Sequence, residues 1–212
     1  MPKERVFDEH LNDYEKWFVV NEWVYRSELK ALEKVMPKTG RGVEIGIGSG
    51  LFAEPLGIRE GVDPSAKMRE KAAERGLNAI DGVAENLPYS DDSVDHALMV
   101  TTICFVDDIV KTFLEAHRIL KNGGRLIIGF VDKDSPVGKM YQKHKQESVF
   151  YRDAIFFGTD EVLGLLQKTG FTLMATWQTV FGRLDEILEV QKPKPGYGEG
   201  SFVVIDAAKG LI

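Results

Sequence analysis

Val43-Glu44-Ile45-Gly46-Ile47-Gly48-Ser49-Gly50-Leu51 carries an apolar strand straight into a loop with glycine at every second position. Glycine suits backbone that must turn sharply or approach a ligand with no Cβ in the way. Where such a loop opens a helix, the unpaired N–H groups favour an anionic group, such as the carboxylate of a bound amino-acid moiety. The spacing also excludes. Counted from Gly46, the dinucleotide fingerprint G-x-G-x-x-G needs its third glycine at 51, and Leu51 stands there.

Downstream of the loop, Gly61-Val62-Asp63-Pro64-Ser65 places a carboxylate at the end of a second strand, 19 residues beyond Glu44. In nucleoside-binding α/β folds an acid at this point accepts hydrogen bonds from ribose hydroxyls. A cap on the helix that starts at Pro64 and Ser65 is the other reading of Asp63. Short apolar strands are expected at 42–46, 60–63, 78–81, 94–101, 124–131, 171–181 and 201–207. Helices near 50–56, 64–75, 107–120 and 159–169 alternate with them, the signature of βαβ units around a parallel sheet. In the third of these helices Ile109, Phe113, Ala116 and Leu120 form one apolar stripe.

Upstream, Phe7, Leu11, Tyr14 and Phe18, then Leu29, Leu32 and Val35, predict one or two helices over 7–36, stopped by Pro37 and Gly40. Residues 132–158 form a long aromatic-containing connection of the kind that serves as a lid. The chain of 212 residues carries a net charge of −6, which argues against a nucleic-acid partner. The short basic run Lys143-His144-Lys145 reads as a solvated face. The single cysteine, Cys104, excludes an intramolecular disulfide and a multi-cysteine metal site, and reads as a small buried hydrophobe. His10, His96 and His117 lack metal-ligand spacing, so no metal is expected. No apolar run approaches the ~20 residues of a membrane span. Met1–Asp8 lacks the apolar stretch of a signal peptide, and a cytoplasmic location is expected.

Several stretches, in order, resemble class I S-adenosylmethionine-dependent methyltransferases, in particular the small-molecule branch that includes quinone-biosynthesis enzymes. They are Glu44–Gly50, Gly61–Met68, Gly82–Tyr89, Asp95–Thr102 and Arg118–Gly129; Glu115–Leu126 is similar to the family's E-x-x-R-x-L-K-x-G-G-x-L signature. The resemblance implies an α/β fold: a Rossmann-like, doubly wound, mostly parallel seven-stranded sheet with an antiparallel last strand and helices on both faces. It implies a single domain over 1–212, with an N-terminal helical cap (1–38) and a lid (132–158). S-adenosyl-L-methionine is the implied cofactor. Glu44, Gly46, Gly48 and Gly50 are expected around its methionine and ribose, Asp63 and Pro64 at the ribose, Ser65 and Met68 near the adenine, and Ala84 and Glu85 at the adenine edge. Where the family carries an adenine-reading Asp, this chain has Val83, with Asp81 two residues away. Thr101 and Thr102 close the fourth strand beside the methionine portion, although β-branched residues also simply pack well in strands. Tyr14 and Trp17 match a Tyr-x-x-Trp-like pair expected in the cofactor lid.

Methyl transfer from a sulfonium is an in-line displacement, so alignment and exclusion of water supply much of the rate and no catalytic triad is needed. The acceptor is expected to be a small molecule methylated at N, O or C. Its pocket is expected between the N-terminal helices (Tyr14, Trp17, Phe18, Trp23) and the 132–158 connection (Tyr141, His144, Phe150, Tyr151, Arg152). Aromatic faces suit a sulfonium or a cationic amine, and they equally suit burial of the helices on the domain. Tyr141 and His144 are the candidates for a base, should the acceptor need to lose a proton. The pattern also leaves open a non-catalytic S-adenosylmethionine-binding module. Leu51 argues against a nicotinamide oxidoreductase.

Overall fold

A computed structural model describes residues 4–210 of the chain. Three helices come first: α1 (Glu4–Glu9), α2 (Leu11–Val20) and α3 (Glu22–Leu32). Where one or two helices were expected over 7–36 there are three, with breaks at His10 and at Asn21, whose side-chain amide turns back to donate to the Trp17 carbonyl (2.9 Å). There follow β1 (Gly42–Ile45), β2 (Glu60–Val62), α4 (Ala66–Glu74), β3 (Asn78–Ile80), β4 (Val94–Val100), α5 (Ile109–Ile119) and β5 (Leu120–Val131). The chain closes with α6 (Pro136–Lys143), α7 (Thr159–Lys168), β6 (Phe171–Thr179), β7 (Lys194–Pro195) and β8 (Phe202–Lys209).

The strands form one sheet in the order β3-β2-β1-β4-β5-β8-β6-β7. β1 to β5 pair in parallel, and β8 runs antiparallel between β5 and β6. Both faces are covered, which explains why β4 is apolar almost throughout rather than alternating. Its Ala97 and Met99 pack with Phe113 and Ala116 of α5 and Val162 of α7, while Leu98 and Val100 pack with Val24 and Leu32 of α3.

Two further elements differ from the pattern expected of the sequence. The sheet has eight strands, because Lys194–Pro195 adds a two-residue edge to β6. Proline is tolerated there, since an edge strand has one side without partners. The buried Gln178 side chain organises this edge: its Oε1 accepts from the Glu199 and Gly200 amides, each at 2.8 Å. The stretch expected as a helix over 50–56 is a run of turns. Pro55 has no N–H to give the Leu51 carbonyl, and that carbonyl accepts the Tyr25 hydroxyl instead. The glycine loop therefore does not open a regular helix.

The strand order reverses at β1 and β4. In open α/β sheets, ligands bind at the carboxyl ends of the strands flanking such a switch point. Gly46 leaves one of these ends and Thr101 the other.

Candidate active site

A cavity of about 460 Å³ opens at this switch point. Its floor is the glycine loop. Gly46 and Gly48 line it, both with positive φ (74° and 54°). A Cβ on Gly46 would lie 2.5 Å from the Thr102 side chain, and one on Gly48 would lie 3.5 Å from the Tyr14 hydroxyl. The loop thus leaves room that any other residue would fill.

Asp63, at the end of β2, holds the loop in this shape. Its carboxylate accepts from the Gly48 amide and from the Ser65 amide, each at 2.9 Å. Burial pushes its pKa up to about 6, against the two N–H donors and Arg69, which favour the charged form. Each carboxylate oxygen keeps a second lone pair after these bonds, so Asp63 can still accept from vicinal hydroxyls of a ligand in the cavity.

The opposite wall is the end of β4 and the loop after it: Val100, Thr101, Thr102, Phe105, Val106 and Asp107. Thr101 has φ of 52°. Left-handed backbone is a genuine outlier for a β-branched residue and costs on the order of 1–3 kcal/mol. A hydrogen bond from its amide to the Gly129 carbonyl (2.7 Å) holds it there.

The third side is Gly82, Val83, Ala84 and Glu85, with Pro64 and Met68 adjoining. This loop is pinned from beneath by the Glu115…Arg118 pair. Glu115 accepts from the Leu87 amide, and Arg118 donates to the Leu87 and Tyr89 carbonyls at 2.9 and 2.8 Å. The E-x-x-R signature therefore shapes the site without touching it. The Glu85 carboxylate accepts from the Asp107 and Asp108 amides at 2.6 and 3.1 Å, tying this wall to α5. Val83 is 45% exposed at the rim. Asp81 is paired with Arg69 (2.8 Å) outside the cavity, so it does not replace an acid at position 83.

The N-terminal helices cover the opening. Glu4, Phe7 and Tyr14 line the cavity, and Phe7 packs edge-on against Phe105 at 5.1 Å and tilted against Phe150 at 5.6 Å. The cover is fastened by carboxylates. Asp8 accepts from the Ser65 hydroxyl (2.6 Å) and the Lys67 amide (3.0 Å), while Glu15 holds the Ser49 hydroxyl and Arg75. Burial, followed by the negative charges of Glu44 and Asp63, pushes the Tyr14 phenol above its ordinary range.

Of the residues singled out from the sequence, Tyr14, Gly46, Gly48, Asp63, Pro64, Met68, Ala84, Glu85 and Thr101 share this cavity. Four others lie behind its wall. Trp17 packs on Phe18 at 5.0 Å, in the cluster beneath α3. Glu44 is 2% exposed and takes the Ala53 amide; burial, then the charge of Asp63, pushes its pKa well above the usual carboxylate range. Gly50 faces Leu77, whose Cδ1 lies 2.3 Å from where a Cβ would stand. Ser65 caps α4 and binds Asp8. His144 pairs with Glu147 on the surface (3.1 Å), and Arg152 is exposed. Phe105, Val106 and Asp107 carry no motif; the rule that ligands meet strand ends would have pointed to them, because they follow β4.

A second, small cavity of about 20 Å³ lies on the far side of Thr101. Cys104, Val131, Tyr141, Tyr151 and Phe156 are among the residues around it. The Tyr141 and Tyr151 rings stack at 4.7 Å. Among the described residues no group of His, Cys, Asp and Glu has the arrangement of a metal site, and no helix is long and apolar enough to cross a membrane.

A parallel sheet with a glycine loop and an acid after β2 at its switch point is the arrangement of nucleoside-binding α/β enzymes, and known proteins give the family. Residues 43–128 match the family model described as "Methyltransferase domain". The uncharacterized protein MJ1123 of Methanocaldococcus jannaschii is 45% identical over 204 residues, 96% of this chain and 98% of that protein. A solved SAM-dependent methyltransferase of Thermotoga maritima, described as a possible histamine N-methyltransferase, superposes with a TM-score of 0.94 at 51% identity, covering 97% of this chain and 99% of that one. A 2-methyl-6-phytyl-1,4-hydroquinone methyltransferase of Oryza sativa subsp. japonica is 35% identical over 61% of this chain and 40% of its own length. The chain belongs to the class I S-adenosylmethionine-dependent methyltransferases, and S-adenosylmethionine is its cofactor.

Proposed function

We propose that this enzyme methylates a small-molecule acceptor, with the donor in the large cavity and the acceptor approaching past Thr101. The observation that carries the reading is the Gly48–Asp63 pair at the floor of a cavity large enough for a nucleoside with an amino-acid tail. Asp63 would accept from the ribose hydroxyls, and Gly46 and Gly48 would lie under the methionine portion. Ala84 and Glu85 would border the adenine, with Met68 against its face. Asp107, which lines the cavity, would meet the adenine amine in the absence of an acid at position 83. When bound, the sulfonium supplies an electrophilic methyl group. The protein's part is to align and to exclude water. Phe7 and Tyr14 would close the cavity from solvent, with residues 132–158 as a second cover, and the strained Thr101 would fix the boundary between donor and acceptor.

Melting curves with S-adenosylmethionine and with S-adenosylhomocysteine test the donor site, since a ligand that binds only the folded state raises the melting temperature. Asp63→Ala is expected to remove most of the shift. No shift of the wild-type protein with either ligand sinks the reading. Transfer of labelled methyl to a metabolite extract then separates an enzyme acting on small molecules from a non-catalytic binder, which would give tight binding and no labelled product.

A further inference from the structure

We propose that the charge of the donor cavity makes this protein hold S-adenosylmethionine more tightly than S-adenosylhomocysteine, so that its own product is a weak inhibitor. The proposal deepens the reading above and rests on it. The two forms of the cofactor differ in one respect that matters to an electric field. The methylated sulfur is a sulfonium with a full positive charge, whereas the demethylated sulfur is a neutral thioether. Every contact to the adenine, the ribose and the amino-acid group is open to both.

Among the described residues, the charged side chains that line the cavity all carry one sign: Glu4 from the cover, Asp63 at the end of β2, Glu85 on the third side and Asp107 after β4. None of these lining residues is Lys, Arg or His. Two of the acids are held by backbone amides. Asp63 accepts from Gly48 and Ser65, and Glu85 accepts from Asp107 and Asp108. Arg69 offsets part of this charge from outside, where it donates to the Asp63 main-chain carbonyl (2.7 Å) and pairs with Asp81 (2.8 Å). A cavity of about 460 Å³ is on the order of 10 Å across, close to the screening length in about 0.1 M salt. Each lining carboxylate is therefore felt wherever in the cavity the sulfur comes to rest. A cleft lined by one sign, with protein walls of low dielectric, concentrates the field further. Phe7, Tyr14 and Phe105 line the same cavity, and ring faces favour a cation over a neutral sulfur.

The preference acts on exchange and not on the chemical step, because tight binding of the charged ground state adds nothing to the rate of transfer. When the S–CH₃ bond breaks, its electron pair stays on the sulfur and the positive charge leaves with the methyl group. The carboxylates lose that attraction, and the product gives way to fresh donor.

The test is calorimetric binding of S-adenosylmethionine, S-adenosylhomocysteine and sinefungin, an analogue with an ammonium-bearing carbon in place of the sulfonium. At about 0.05 M KCl, S-adenosylmethionine and sinefungin are each expected to bind at least about fivefold more tightly than S-adenosylhomocysteine. At about 0.5 M KCl the ratio should fall by about half or more. Glu85→Gln keeps the size of the side chain and an acceptor oxygen, and should lower the ratio about two- to threefold by weakening the charged ligands alone. A smaller wild-type ratio, sinefungin grouping with S-adenosylhomocysteine, or a ratio unchanged by salt or by Glu85→Gln would each overturn the inference. Should Glu85→Gln fail to fold, the salt dependence decides. Failure of all three ligands to bind the wild-type protein would be a different result, since it removes the donor reading beneath.

Discussion

The two cavities that meet at Thr101 are built on opposite principles. The larger, of about 460 Å³, is shaped by backbone: glycines at positive φ, a strand end and the Ala84–Glu85 loop. The acid on its floor already accepts two N–H bonds. The smaller, of about 20 Å³, is walled by side chains, among them Tyr141, Tyr151 and Phe156. A satisfied acid holds its cavity open whether or not a ligand is present. The difference teaches where specificity is free to change: side-chain walls can be exchanged without disturbing the fold, whereas the glycine floor cannot.

The largest expected effect separates Asp63 from Glu28, buried in the middle of α3, by their cost to the fold. The folded-state pKa of Glu28 is about 8, above the usual 4.5. The folded protein then holds this proton more tightly than the unfolded chain, so stability falls as pH rises from about 4.5 to 8 and levels off above. Glu28→Gln should flatten that slope and stabilise the ligand-free protein by up to about 5 kcal/mol at pH 9, read from urea midpoints across pH. A variant with an unchanged pH slope would break the contrast. Next, Asp63→Ala should weaken S-adenosylhomocysteine by about 3 kcal/mol, roughly a hundredfold by calorimetry, through loss of charged acceptors for the ligand hydroxyls. In the wild-type protein the same affinity should decline below about pH 6, where Asp63 takes up a proton.

Gly50→Ala tests whether every glycine of the loop serves the cavity. Its Cβ would press on the buried Leu77 at a φ of 87°. A loss of about 2 kcal/mol in stability is expected, with ligand affinity of the folded protein unchanged. An affinity loss larger than tenfold would place Gly50 functionally with Gly46 and Gly48. The smallest effect is expected from Thr101→Gly, which releases left-handed strain and should stabilise the protein by about 1 kcal/mol. The melting temperature should rise while turnover falls, because the boundary between the two cavities softens.

Much of the fold was legible because it follows from periodicity. Val43–Ile45, Val94–Val100 and the Ile109–Phe113–Ala116 stripe read directly as a buried strand, a two-faced strand and an amphipathic helix. The segment at 50–56 misled because its apolar pattern is helical while Pro55 withholds one N–H, which Tyr25 replaces from α3. The edge strand at Lys194–Pro195 was invisible, since Gln178, elsewhere in the chain, creates it. At the site, Gly46 and Gly50 look alike in sequence. One lies against Thr102 at the cavity wall and the other faces Leu77 in the core. Trp17 has the spacing of a lid residue, but on α2 it points into the cluster under α3 while Tyr14 reaches the loop.

By itself the sequence determined the αβ alternation, the glycine loop, the acid after β2 and, with the ordered motifs, the family and its cofactor. These are local properties: chirality favours glycine at positive φ, and strand and helix periods lie in neighbouring residues. The tertiary structure decided which loop residues face the cavity, that Thr101 is strained, and that Glu28 is buried with its charge bearing on Tyr141 and Tyr151. Those three residues come from α3, α6 and the loop after it. Only packing on the sheet sets their surroundings, and only burial pushes the pKa of an ordinary glutamate up to about 8.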